Sequence, residues 1–108
     1  MKRKAISLKQ PFANLVCEGK KTIETRSWNT VYRGDLVICS SLKPKIEPYG
    51  KALCIVELFD TEPMQKKHEK AACFRLFEGA WAWHIRNVRP LQKPVAVKGK
   101  LGIYDLEL

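Results

Sequence analysis

The longest apolar run in the chain, Ala52 to Phe59, spans eight residues and is interrupted by one charge, Glu57. A run that short, rich in branched side chains, reads as a central β-strand and not as a helix. The other apolar or alternating segments are shorter still: Ala5–Leu8, Thr22–Ser27, Leu36–Cys39, Trp81–Arg86 and Ile103–Leu108. Helical spacing occurs twice. Phe12, Leu15 and Val16 share one face over residues 11–18, with Pro11 suited to a first turn and Gly19 to the left-handed position after the last one. Pro63 opens the second, whose apolar face holds Met64, His68, Ala71 and Ala72. Arg33-Gly34-Asp35 predicts a turn, and Lys43–Gly50 predicts a loop through Pro44, Pro48 and Gly50. Five or six short strands and two short helices in 108 residues predict one α+β domain over 1–108. Its expected form is a small mixed β-barrel with the two or three helices on its rim.

A net charge of +9, from 20 Lys+Arg against 11 Asp+Glu, suits polyanionic partners. The cations are spread along the chain and decorate a folded body, unlike a disordered basic arm. Cys17, Cys39, Cys54 and Cys73 lie 22, 15 and 19 residues apart in apolar surroundings, without a CxxC or Cys/His cluster. That spacing predicts no metal site and suggests free buried thiols in a reducing cytoplasm. His68 and His84 have no partner at ligand spacing. No secretory leader is evident, and no segment reaches the roughly 20 apolar residues of a membrane span.

The run Gly19-Lys20-Lys21-Thr22-Ile23-Glu24-Thr25-Arg26-Ser27-Trp28 packs three cations, a carboxylate, three hydroxyls and an indole between two elements that bury apolar surface. Strand alternation sets Thr22, Glu24 and Arg26 on one face and Ile23 and Thr25 on the other. Arg26 offers a planar fork for phosphate or carboxylate, and Lys20, Lys21 and Arg33 add positive field. Glu24 repels phosphate, so it suits an amino or imino group of a base, or it orients its cationic neighbours. Trp28 can stack on a base or pack at the strand exit, whereas Trp81 and Trp83 read as core. Gln10 can present its amide to a ligand or satisfy backbone near the helix start. Glu57, on a face with Leu53, Ile55 and Phe59, reads as a residue reaching solvent; a cleft position would make it an acid/base.

Several of these pieces resemble one family. Ser7-Leu8-Lys9-Gln10-Pro11-Phe12-Ala13 is similar to its S-x-x-Q-P-x-A segment, and Gly19 to Arg26 resembles its G-x-K-x-x-E-x-R signature. Ser27-Trp28 and Arg33-Gly34 follow, while Val97–Lys100 and Ile103–Leu106 look like its last strands. The family is the ASCH domain, of the coactivator-like branch. The resemblance implies a PUA-like barrel, a group linked to RNA and nucleotide recognition, with a cleft lined by the signature residues.

One ASCH branch hydrolyses N4-acylcytidine nucleosides with a Lys, a Thr and a distant Glu. Lys21 matches the Lys, but Glu24 stands at the Thr position, and Glu57, Glu62, Glu69 and Glu78 are undistinguished candidates for the third residue. The expected function is RNA or nucleotide-like ligand binding, without cofactor, metal or membrane, through Gln10, Lys20, Lys21, Glu24, Arg26, Ser27, Trp28 and Arg33. The alternatives are an amidohydrolase or RNA-processing hydrolase using Lys21 and Glu24, and a protein-interaction adaptor.

Overall fold

The computed structural model describes all of residues 1–108. In chain order it contains β1 (Lys2–Leu8), α1 (Phe12–Cys17), β2 (Ile23–Arg26), β3 (Gly34–Ser40) and β4 (Lys51–Pro63). A 3₁₀ turn (Lys66–His68), α2 (Glu69–Ala72), β5 (Trp81–Ala96) and β6 (Tyr104–Glu107) complete it. The strands form one six-stranded sheet in the order β2-β5-β4-β3-β1-β6. Only β1 and β3 run parallel; the other four pairings are antiparallel. The sheet curls into a half-barrel around a core of Ile6, Leu8, Leu36, Ile38, Val56 and Trp83, with Ala13 and Val16 of α1 packed into it.

The curl comes from the β4–β5 ribbon. Its register shifts three times, between Ala52 and Cys54, Ile55 and Glu57, and Leu58 and Asp60. Each irregularity adds local bend and twist. The same irregularity lets Pro90 and Pro94, which cannot donate to a ladder, sit inside β5. Both elements therefore outrun the expected Ala52–Phe59 and Trp81–Arg86.

Four further expectations need correction. Pro63 ends β4 instead of opening a helix. The helical face does form, with Met64, His68 and Ala72 buried, but as a 3₁₀ turn followed by a four-residue helix that stops at Cys73 in the left-handed region. Val97–Lys100 is loop and not strand, and Gly34 already belongs to β3. The thiols are not all free either: Cys17, at the end of α1, is bonded to Cys54 on the inner face of β4. Cys39 is free and buried, and Cys73 is free and exposed. The step from free thiols to a reducing compartment thus loses its premise. No helix is long and apolar enough to cross a membrane.

Candidate ligand cleft

Helix α1 ends in a way that aims the next residues. The Lys20 N–H bonds the Leu15 carbonyl at 2.9 Å and the Gly19 N–H bonds that of Val16 at 3.0 Å, with Gly19 at φ +77°. This is the left-handed cap that satisfies the orphan carbonyls of a helix end and reverses the chain. Lys21 follows before β2 begins, so strand alternation does not fix its direction. Its side chain is 1 % exposed. The ammonium donates to the Ala72 carbonyl at the end of α2. It also lies 3.5 Å from Glu24 Oε1 and 5.3 Å from the centre of the Phe12 ring.

Alternation then holds as expected within β2. Glu24 and Arg26 face the cleft, while Ile23 packs against Met64, Ala72 and Ala82 behind it. Arg26 Nε donates to Glu24 Oε2 at 2.8 Å. Its Nη2 donates to the Ser7 carbonyl of β1 at 3.0 Å. Since β2 ends one side of the sheet and β1 lies beside β6 on the other, this guanidinium bridges the open seam of the half-barrel.

Above this floor is a cleft of about 660 Å³, within the range of small-molecule sites. One wall is aromatic: Phe12, Phe74 and Phe77, with Phe74 edge-on to both others at 5.7 and 6.2 Å. Glu69 ties that loop down by accepting the Leu76 N–H at 2.8 Å. The opposite wall holds Trp28, Leu101 and Gly102. Trp28 is itself steadied by Trp83, whose ring stands perpendicular to it at 4.8 Å and whose indole N–H donates to the Trp28 carbonyl. Trp83 is core, as its alternation indicates.

The cleft brings together Lys21, Glu24, Arg26, Ser27 and Trp28. It does not include the other three candidates. Gln10 is buried, donates to Asn14 Oδ1 and the Pro48 carbonyl at 2.9 and 2.7 Å, and accepts the Asn14 N–H. It pins the 43–50 loop to α1. Lys20 pairs with Glu18 at the surface, and Arg33 braces the Thr30 and Tyr32 carbonyls and Thr61. Lys9 and Lys100, which the motif reading passed over, do line the cleft. Lys9 holds an unspecified position of the Ser7–Ala13 segment and Lys100 ends the Val97–Lys100 stretch, to which no ligand role was attached, so only their position in the fold reveals them. Glu24 is the only carboxylate in the lining. Glu57 lies elsewhere in an ion pair with Arg86, and Glu62, Glu69 and Glu78 do not reach the cleft.

Burial pushes the Lys21 amine below the ordinary lysine value of 10.5, and the Glu24 carboxylate works against that push. Between the lowered value and 10.5 the unfolded chain holds more protons than the folded one at this residue. Stability therefore rises with pH across that window. We expect Lys21→Met to flatten the rise, read as the difference between wild-type and variant denaturant midpoints from pH 8 to 10.5. Taking the difference removes the opposing contribution of Tyr104, whose phenol is pushed up to about 12.

Behind the cleft, on the far face of β2 and β5, Glu62, His68 and His84 converge with ligating atoms within 4.8 Å of one another. The two histidines, unpartnered by spacing, thus meet in space. Glu62 Oε2 lies 2.7 Å from His84 Nε2 and 3.4 Å from His68 Nε2. His68 Nδ1 accepts the Gln65 N–H at 2.9 Å, which leaves the proton of a neutral ring on Nε2. A metal would need that nitrogen bare and the other protonated. The trio reads as a carboxylate taking two imidazole donors, locking the 3₁₀ turn to β4 and β5.

The model of the ASCH domain family matches residues 6–95. The chain belongs to the ASCH domain family. Among solved structures, this ASCH domain is similar to the crystal structure of ASCH from Zymomonas mobilis, with 18% identity and a TM-score of 0.77 over 96% of this chain and 87% of that one. Two point mutants of the Zymomonas mobilis protein, a tyrosine-to-phenylalanine and a serine-to-alanine variant, are similar as well. Their TM-scores are 0.65 and 0.70, with 19% and 17% identity, covering 87% and 96% of this chain and 75% and 87% of theirs. Likeness at that identity concerns the fold, and the small α+β half-barrel of the ASCH type is the fold expected from the sequence. No curated protein matches this chain.

Proposed function

We propose that the cleft binds RNA or a nucleotide-like ligand, with the base on the Lys21–Glu24–Arg26 floor. The observation that carries this reading is a hydrogen-bonding floor of both signs set between aromatic walls, with Lys9 and Lys100 at its side. Glu24 can accept from an amino or imino group, and Arg26 can donate to a carbonyl or ring nitrogen. Trp28, 37 % exposed beside this floor, presents a face for stacking. Base–aromatic stacking contributes about 1–3 kcal/mol in single-strand binders. Trp28→Ala is therefore expected to weaken binding of a short single-stranded RNA by roughly 5–150-fold. Arg33→Gln, outside the cleft, should leave affinity within about twofold. Fluorescence anisotropy checks both, and an unchanged affinity in Trp28→Ala rejects the reading. An adaptor would bind no RNA through these residues.

A hydrolytic reading is favoured by one observation: a buried amine of lowered pKa beside the only carboxylate of the cleft. Glu24 would act as base toward a water, with Lys21 stabilising the developing oxyanion. The substrate class would be an N4-acylated cytidine or an RNA phosphodiester. Release of cytidine from N4-acetylcytidine, lost in Lys21→Ala, would establish the former.

A further inference from the structure

The charged groups of the cleft floor stand in a fixed order. Lys21 Nζ lies 3.5 Å from Glu24 Oε1, and Arg26 Nε lies 2.8 Å from Glu24 Oε2. The carboxylate therefore sits between two cations, one at each oxygen. A carboxylate oxygen has about two lone pairs, so one acceptor position on each is still open. Arg26 spends Nε on Glu24 and Nη2 on the Ser7 carbonyl, which leaves Nη1 uncommitted. Both side chains line the cleft and are mostly buried, so a ligand seated on them shuts out the remaining water. In such a site a mismatched ligand edge leaves the floor groups without partners, which costs more than the missing bond alone.

The edge that complements this floor carries two adjacent N–H donors with an acceptor beside them. Among the common bases only guanine has that edge, because N1–H and the 2-amino group are neighbours and O6 follows N1. The two donors would meet the two oxygens of Glu24, as side chains read the Watson–Crick edges of unpaired bases. O6 would then fall at an end of the carboxylate, where a cation stands in either orientation of the base. Adenine and cytosine place a bare ring nitrogen beside their amino group, and its lone pair would face a carboxylate oxygen. Uracil has one N–H between two carbonyls, one of which would face the second oxygen. The aromatic walls and the volume of about 660 Å³ admit a purine.

We propose that the Lys21–Glu24–Arg26 floor selects guanine, with Glu24 reading N1–H and the 2-amino group and a flanking cation reading O6. This rests on the reading of the cleft as a nucleotide site and names the base it takes. Glu24 becomes the specificity-determining residue, and its two cations hold it ionised and in place for that task.

The test titrates guanosine, adenosine, cytidine and uridine monophosphates by calorimetry. All carry the same charge, so the +9 of the chain acts on them alike and only the base differs. Guanosine monophosphate should bind at least about tenfold more tightly than the other three. Inosine monophosphate, which lacks the 2-amino group, should lose part of that preference, and N1-methylguanosine monophosphate all of it. Glu24→Gln turns one of the two acceptors into a donor and should abolish the preference. Its urea midpoint is measured alongside, and the modified nucleotides test the same contact on the unaltered protein if the variant does not fold. A short oligouridylate with one central guanosine, set against one with a central adenosine, repeats the comparison within a chain. Preference for guanosine there beyond that of the monophosphates makes a chain residue the source, and preference in the monophosphates alone makes it the free nucleotide; both support the guanine edge. Equal binding of all four monophosphates, or preference for another base, with Trp28→Ala weakening them, would overturn guanine selection and leave the nucleotide cleft standing. Inosine and N1-methylguanosine monophosphates binding as tightly as guanosine monophosphate would overturn it too. No binding, or binding unchanged by Trp28→Ala, would overturn the cleft reading as well.

Discussion

Reduction of the Cys17–Cys54 bond is expected to lower the stability of this ASCH domain by about 4 kcal/mol. The bond closes a loop of sequence separation 37. The entropy removed from the unfolded chain by a cross-link of that span corresponds to about 4 kcal/mol at room temperature. For a domain of this size the thermal midpoint should fall by roughly 15–30 °C. Cys17→Ala/Cys54→Ala should melt at the lower temperature whether or not reductant is present. Cys39 and Cys73, being unbonded, should not alter the response when replaced. Four titratable thiols in the unreduced protein, or a midpoint indifferent to reductant, would contradict the cross-link. A functional consequence follows, because α1 carries both Cys17 and Phe12. Loosening the helix from β4 should disturb the aromatic wall before the sheet unfolds.

This cross-link also marks a limit of what the sequence discloses. Cys17 lies on a helix and Cys54 on a strand in another part of the chain, and neither spacing nor local pattern pairs them. Local signals were legible wherever one residue dictates its own neighbourhood. Gly19 takes the left-handed position after α1, and Glu24 and Arg26 share a face because strands alternate. Elements failed where tertiary pairing overrides a local breaker. Pro90 and Pro94 look like interruptions, but the irregular β4–β5 ribbon absorbs them. Pro63 looks like a helix start, yet it closes a strand paired with Trp81.

The same division holds at the site. Of the signature run, Lys21, Glu24, Arg26, Ser27 and Trp28 meet in the cleft, while Ile23 packs behind it. Gln10 and Arg33 are drawn away by carbonyl partners that come from distant or irregular segments, such as Pro48 and Thr30. Lys9 and Lys100 enter it from loops, at positions to which the matching segments assign no role. Glu62, His68 and His84 meet only because β4, the 3₁₀ turn and β5 converge.

Replacing Arg26 should damage stability and binding together, for separable reasons. Its guanidinium makes two bonds in different directions, to Glu24 within β2 and to the Ser7 carbonyl across the seam. Both partners of the ion pair are mostly buried, with side chains 21% and 12% exposed, so solvent screens the pair little. Arg26→Met strands the Glu24 carboxylate with Lys21 alone and opens the seam, and breaking a buried pair in this way costs about 3 kcal/mol or more. Arg26→Lys should recover only part, because one ammonium on a flexible stem cannot reproduce the planar fork. The double variant Glu24→Gln/Arg26→Met separates the two contributions. If the stranded charge dominates, urea midpoints should climb back toward wild type in the double variant. If the Ser7 bond dominates, the double variant should stay as unstable as Arg26→Met. RNA affinity should remain at least tenfold reduced in either case, since the floor has then lost both its acceptor charge and its donor fork. Recovery of binding together with stability would mean that Arg26 holds the half-barrel closed and does not touch the ligand.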